Sequence, residues 1–150
     1  MHFLAPMDAD RLAFIHDQTA YHRVVETEQG VEAFLLALRE GASYDSVNYR
    51  WFVERYGRFL YIDRVVVSKP ARGKGLGRLL YEDLFAFAAS TGISPVTCEF
   101  DVDPPNEPSR GFHREFGFVE VGSQRVGAER KLVSLQAAWP ESGFTPMEAT

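Results

Sequence analysis

One stretch constrains this chain more than any other. "RFLYIDRVVVSKPARGKGLGRLLYEDLFAFAASTG", residues 58 to 92, passes from an apolar, β-branched run through a glycine-rich junction into a leucine-rich run. Pro70 ends the first run, which reads as a strand. Leu76, Leu80, Leu84 and Phe87 recur at helical spacing and predict a helix over Leu76–Thr91, ended by Gly92. "SPVTCEFDV" follows as a second strand. A strand, a helix and a strand in that order predict a right-handed parallel crossover over 59–102. The chain must therefore build a sheet with a helix on its face, a mixed α/β domain.

The junction has a chemical meaning as well. A helix N-terminus leaves backbone N–H groups unpaired and carries about half a positive charge. Gly73, Gly75 and Gly77 let the backbone approach a ligand closely, and Arg72, Lys74 and Arg78 add charge. Together they suit phosphate oxygens. Two familiar phosphate loops are excluded. A Walker A loop needs Ser or Thr after its Gly-Lys pair, and Gly75 follows Lys74. The dinucleotide fingerprint needs a glycine at 78, which is Arg.

That positive cluster sits on an acidic chain, with net charge −5 and pI near 5.4. A binder of phosphate backbones would be basic, so the expected ligand is a small anion and not nucleic acid. The single cysteine, Cys98, excludes an intrachain disulfide and fits a reducing cytoplasm. Within "VTCEF" it reads as a small core side chain. The four histidines have no metal-ligand spacing, so no metal is expected. The N-terminus does not read as a signal peptide, and no apolar run approaches the roughly 20 residues of a membrane span, so no membrane partner is expected.

The rest of the chain reads as one domain over 1–150, with a frayed tail over about 140–150. A helix is expected over about 8–19, and a hairpin in "YHRVVETEQGVEAFLLAL". "VNYRWFVERYG" reads as a short helix capped by Ser46 and closed by Gly57. A loop and short helix occupy "PPNEPSRGFHREFG", and "FVEVGSQ" and "RKLVSLQAA" read as antiparallel strands.

"VVVSKPARGKGLGRLL" is similar to the acetyl-CoA signature of the GNAT superfamily of N-acetyltransferases, through Arg72, Gly75 and Gly77. "NEPSRGFHREFGFVEVG" resembles that superfamily's Asn-containing loop, short helix and Gly-Phe strand entry. The resemblance covers about residues 20–135. "YDSVNYRWF" and "FDVDPPN" look like a bacterial group of predicted acetyltransferases. The implied fold is a GNAT-like acyl-CoA N-acyltransferase domain: a central mixed sheet flanked by helices. Its first strand is short or missing, because only "HFLAP" is available for it.

The resemblance also implies a chemistry, with acetyl-CoA as co-substrate. Its pantetheine arm would pair with the strand at Val65, Val66 and Val67. Its pyrophosphate would rest on amides of Arg72, Gly73, Lys74, Gly75, Leu76, Gly77 and Arg78, with Asn106 and Ser109 beside the arm. An amine would attack the thioester where the strands at 59–67 and 96–102 splay apart, and N–H of Val66 or Val67 would hold the oxyanion. His113 stands where the superfamily often carries a tyrosine, as candidate general acid. A homodimer is compatible with the resemblance.

The acceptor side is read from the residues. Segment 39–58 is longer than a hairpin turn needs. It carries Tyr44, Asp45, Asn48, Tyr49 and Trp51, which would suit a cationic or partly apolar amine, and its aromatics could equally pack the short helix on the sheet. The attacking amine must be neutral, so a base is useful. Asp63 and Asp101 are the candidates, and Glu99, deeper in its strand, ranks below them. Arg64 or Arg50 could pair with Asp63. Two readings remain open: an N-acetyltransferase acting on a small-molecule or peptide amine, and a non-catalytic acyl-CoA sensor on the same fold.

Overall fold

The computed structural model describes residues 19–104 and 107–140. In chain order it contains β1 (Tyr21–Thr27), β2 (Gly30–Arg39), α1 (Val47–Val53), β3 (Leu60–Val67), a 3-10 turn (Lys69–Ala71) and α2 (Leu76–Thr91). There follow β4 (Val96–Asp101), α3 (Glu107–Glu115), β5 (Val119–Val126) and β6 (Lys131–Ala138). The strands form one sheet in the order β1-β2-β3-β4-β6-β5. Among the strands of the described residues only β3 and β4 pair in parallel, so the expected mixed sheet and parallel crossover are present. The expected helix over 8–19, the short first strand at "HFLAP" and the tail beyond 140 lie outside the described residues.

Both faces of the central strands are covered, which explains why "FLLAL" in β2 does not alternate with polar residues. On one face Leu35, Ala37, Leu60 and Ile62 pack against Leu80, Tyr81, Leu84 and Phe85 of α2. On the other, Leu36, Leu38 and Tyr61 pack against Tyr49 and Phe52 of α1. The leucine face of α2 is as expected, but Tyr81, Phe85 and Ala88 complete it, and Leu76 and Phe87 only flank it. Gly92 closes α2 at φ 73°, with its N–H directed to the carbonyls of Ala88 and Ala89.

Ser46 caps α1 as expected, its Oγ accepting from the Tyr49 N–H at 3.3 Å. The C-terminus differs: Glu54, in a right-handed conformation, is the C-cap, and Gly57 lies beyond it without a left-handed φ. Aromatic packing, not a glycine cap, sets the length of α1. Tyr49 and Phe52 meet the Tyr61 ring at 5.5 and 5.9 Å.

Trp51 reaches from α1 across β5. A Cβ built on Gly122 would lie 2.2 Å from its Cζ2, at an irregularity in the β5–β6 register. Gly122→Ala is therefore expected to push the indole aside and destabilise the protein by about 1–3 kcal/mol. Scanning calorimetry checks this, and an unchanged Tm would mean that Trp51 can move without cost.

The feature that builds a site is a gap. β3 and β4 pair only at Leu60↔Val96 and Tyr61↔Thr97. Just beyond, the β2–β3 register slips, leaving Asp63 as an extra residue on β3. Such a bulge bends its strand. From there β3 and β4 part.

Candidate active site

The gap holds a cavity of about 230 Å³. Asp63, Arg64 and Val65 line it from β3, Cys98 and Glu99 from β4, Tyr81 from α2, and Ser109 and His113 from α3. It reaches both faces of the sheet. Tyr81 and His113 come from helices on one face, while Asp63 and Glu99 bond to residues of the α1 side.

The edge of β3 that faces the gap follows from register. The Ser68 N–H donates to the Glu32 carbonyl at 2.7 Å, so Ser68 turns its polar backbone toward β2. Alternation places Val66 toward β2 as well, opposite Phe34. Val65 and Val67 then direct their N–H and C=O groups away from β2. This corrects one expectation: the Val66 N–H serves the sheet, and of the two oxyanion donors only Val67 faces the open edge.

The glycine junction has the expected shape. Gly73 and Gly75 take φ of 84° and 79°. Gly75 is the N-cap of α2 and supplies no side-chain cap, and the ladder begins with Leu79 N–H to Gly75 O at 3.0 Å. Helix geometry therefore leaves the N–H groups of Leu76, Gly77 and Arg78 without intrahelical acceptors. A Cβ at Gly73, Gly75 or Gly77 would meet no atom within 4 Å, so the cradle is open. Arg72 and Lys74 are exposed beside it. The Arg78 side chain turns instead to Glu115 and lies over Phe112 and Phe116, tying α2 to α3. Asn106 lies outside the described residues.

The carboxylates separate by environment. The Asp63 side chain is only 4 % exposed. It accepts from Tyr44 Oη at 2.5 Å and from Arg64 Nε at 2.8 Å, so the expected Arg64 pairing is present. Glu99 accepts from Tyr61 Oη at 2.8 Å and from the Asn48 side chain, which in turn accepts from Gln124 Nε2 at 2.9 Å. Burial, with a smaller push from the charge of Asp63, raises the Glu99 carboxyl to about 7. Asp101 is exposed, does not line the gap, and pairs with Lys131 at 3.6 Å.

His113 is held on both ring nitrogens. Nδ1 lies 2.8 Å from the Ser109 carbonyl, which can only accept, so Nδ1 carries the proton. Burial lowers its pKa and keeps the ring neutral. Nε2 is then an acceptor, and Tyr81 Oη, 2.9 Å away, donates to it. His113 thus faces the gap, as expected, but as an acceptor rather than as a protonated acid. Burial also pushes the Cys98 thiol well up, in keeping with a core side chain.

Among the acceptor-side residues, Tyr44 reaches the site through Asp63 and Asn48 through Glu99, while Asp45 is exposed. Tyr49 is a correction: it is 1 % exposed, and its hydroxyl donates to the Arg39 carbonyl at 2.5 Å and accepts from the Ala42 N–H at 3.1 Å. Trp51 packs on Phe52 and under Arg55. Sequence reasoning undervalued Glu99 and missed Tyr81. A signal for Glu99 existed, since a carboxylate inside a strand covered on both faces needs a partner or a purpose. Tyr81 carried none, being one of several aromatics on α2. Among the described residues no group of three or more His, Cys, Asp or Glu could hold a metal, and no helix is long and apolar enough to cross a membrane.

Among the described residues, the six-stranded mixed sheet with three helices is a mixed α/β GNAT fold. Residues 6–118 match the Acetyltransferase (GNAT) family, and the chain belongs to that family, which uses acetyl-CoA. It is 34% identical over 77 residues to a phosphinothricin N-acetyltransferase of Streptomyces coelicolor, a match spanning 51% of this chain and 44% of that relative, less than half its length. The fold resembles the ribosomal-protein-S18-alanine N-acetyltransferase of Escherichia coli, with TM-score 0.69, 14% identity and coverage of 93% and 81% of the two chains. It also resembles an N-acetyltransferase of Staphylococcus aureus Mu50, with TM-score 0.67, 20% identity and coverage of 91% and 80%.

Proposed function

We propose that the protein moves an acetyl group from acetyl-CoA to the amine of a small molecule or peptide by direct attack in the gap between β3 and β4. The observation that carries this reading is a buried Asp63 carboxyl, bound by Tyr44 and Arg64, beside a Glu99 carboxyl that burial raises to about 7 at the same opening. The environments of two neighbouring carboxyls are set apart, which suits one to hold a cation and the other to take a proton. The phosphinothricin, ribosomal-protein-S18-alanine and spermidine N-acetyltransferases that this chain resembles carry an amine acceptor in their names, and that supports an amine here.

Residue roles follow. The free amides from Leu76 to Arg78, with the glycines before them, bind the pyrophosphate, and Arg72 and Lys74 add charge. Val65 and Val67 pair with the pantetheine arm, and the Val67 N–H accompanies the carbonyl oxygen as it gains charge. The amine approaches from the α1 side. Asp63 attracts its ammonium form, and Glu99 takes the proton. The nitrogen lone pair then forms the new C–N bond, the C–S bond breaks, and the sulfur leaves with the bonding pair and takes up the second proton that the new amide nitrogen sheds. As the sulfur gains charge, the single Tyr81 Oη proton turns to it from His113 Nε2, which holds the hydroxyl in place until then. His113 is a positioning residue in this scheme, in place of the general acid expected of it. Asp101 has no part in it.

Tyr81→Phe is expected to lower kcat about tenfold and leave the acetyl-CoA Kd unchanged, with His113→Ala adding little to it. A wild-type kcat in Tyr81→Phe removes the hydroxyl from the scheme. The central test is thiol release from acetyl-CoA with a panel of amino acids, polyamines and peptide N-termini. Release with one class supports the transferase. Tight CoA binding with no release from any amine would favour the sensor.

A further inference from the structure

A second cavity, of about 200 Å³, lies on the other side of α3 from the gap. Helical geometry makes the division. Ser109 and His113, four apart, face the gap, while Arg110 and Arg114, each one residue further on, line the second cavity. Its floor is polar. Ser134 and Gln136 of β6 are only 2 % and 7 % exposed, although they sit on the inner face of a strand. Gln136 Nε2 donates to Ser134 Oγ at 2.6 Å, and Ser134 Oγ donates to Glu120 Oε1 at 2.5 Å. Phe100, Val102 and Phe118 supply apolar wall.

The charges in this cavity do not close on one another. Arg110 approaches Glu107 at 3.9 Å, outside the cavity lining. Among the ion pairs of the described residues, none joins Arg110 or Arg114 to Glu120. Two guanidinium groups and one carboxylate thus line a single small space, held apart by the helix on one side and the strand on the other. Ser134 and Gln136 are buried beneath them, which costs free energy unless their remaining polar positions are met, and the exposed Glu120 stands at the edge of the same space. The space would hold roughly six or seven waters at about 30 Å³ each, which is also the bulk of an ordinary amino acid.

We propose that this cavity is a ligand site for a small zwitterion of the α-amino-acid class. Its carboxylate lies against Arg110 and Arg114, its ammonium against Glu120 and the Gln136 amide, and its side chain against Phe100, Val102 and Phe118. The complementarity needs both signs in one molecule: a simple carboxylate brings no cation to Glu120, whose Oε1 accepts only from Ser134 among the described hydrogen bonds, and a simple amine brings no anion to the arginines. The site shares only Phe100 with the lining of the acetyl-transfer gap and does not depend on that reading. α3 lies between the two, so a ligand here braces the helix that carries Ser109 and His113.

The test titrates the full chain, labelled with ¹⁵N, with glycine, L-leucine, L-glutamate and L-arginine, with acetate and propylamine as single-charge controls. We expect at least one amino acid to shift the Ser134 and Gln136 resonances with Kd below about 1 mM, and the controls to bind at least about tenfold more weakly. Arg114→Met and Glu120→Gln, both at exposed positions, should each weaken that binding about tenfold, and Asp63→Asn should leave it unchanged. The proposal is overturned if no amino acid shifts those resonances, if acetate or propylamine binds equally well, or if Arg114→Met and Glu120→Gln bind as wild type. It is equally overturned if Asp63→Asn abolishes the shifts, because the ligand would then be in the gap.

Discussion

Glu99→Gln is expected to lower kcat by about 10²-fold near pH 8 and to leave the acetyl-CoA Kd unchanged. Glutamine keeps the size of the side chain and still accepts from Tyr61 and Asn48, so the cavity keeps its shape. What it loses is the capacity to take a proton. Wild-type kcat should rise with pH through about 7 as Glu99 ionises, and the variant should lack that limb. A retained limb at neutral pH would assign it to another group. Stability should move the opposite way. Folded Glu99 keeps its proton up to about pH 7, against an ordinary glutamate value of 4.5. Between those values the native state holds more protons than the unfolded chain, so this group's contribution falls as pH rises and levels off above about 7. The glutamine variant has no such proton to lose. Relative to wild type it should gain up to about 3 kcal/mol between pH 5 and 8. A pH-independent difference in Tm would show that burial of Glu99 has been overstated.

Gly75→Val is expected to weaken acetyl-CoA binding by more than about 10²-fold while the protein still folds. The residue sits at φ 79°, where a β-branched side chain is strained, and it is the N-cap from which α2 starts. To relieve the strain the loop must turn, and the amides of Leu76, Gly77 and Arg78 then point elsewhere. A Cβ here meets no protein atom within 4 Å, so internal clash is not the cause. Gly77→Ala separates the two effects. Gly77 lies inside α2 without a left-handed φ, so alanine should stabilise the apo protein by up to about 1 kcal/mol. It should still weaken CoA, because the new methyl occupies the open cradle. If both variants bind acetyl-CoA like wild type, the pyrophosphate does not rest on this loop.

The frame of the molecule was legible because it rests on local rules. Helical spacing and Gly92 gave the limits of α2, and Ser46 gave the start of α1. The order of strands around α2 gave the parallel pair. What escaped the sequence depended on register and on packing across the sheet. The bulge at Asp63 is a mismatch of two strands and leaves no mark in either alone. It reverses which residues face the open edge, and so decides between Val66 and Val67. Tyr49 and Tyr44 are alike as letters in one segment, yet one hydroxyl closes the loop onto Arg39 and the other reaches Asp63. Glu99 and Asp101 stand two apart on β4. Glu99 is bound by Tyr61 and Asn48 from the α1 side, and Asp101 at the strand end meets Lys131 in solvent.

The parting of β3 from β4 has a consequence for how turnover should look in the steady state. The cavity is lined from both faces of the sheet, by Tyr81 of α2 and His113 of α3 on one and by Asp63 and Glu99, bound to Tyr44 and Tyr61, on the other. If the amine attacks acetyl-CoA directly in that gap, as proposed, both are held there together and neither has to leave before the other arrives. Initial-rate lines at several amine concentrations should intersect rather than run parallel, because no acetylated protein stands between two half-reactions. Free CoA should compete with acetyl-CoA and act as a mixed inhibitor toward the amine. An inhibitor large enough to bridge the sheet, carrying CoA on one side and an amine mimic on the other, should compete with both.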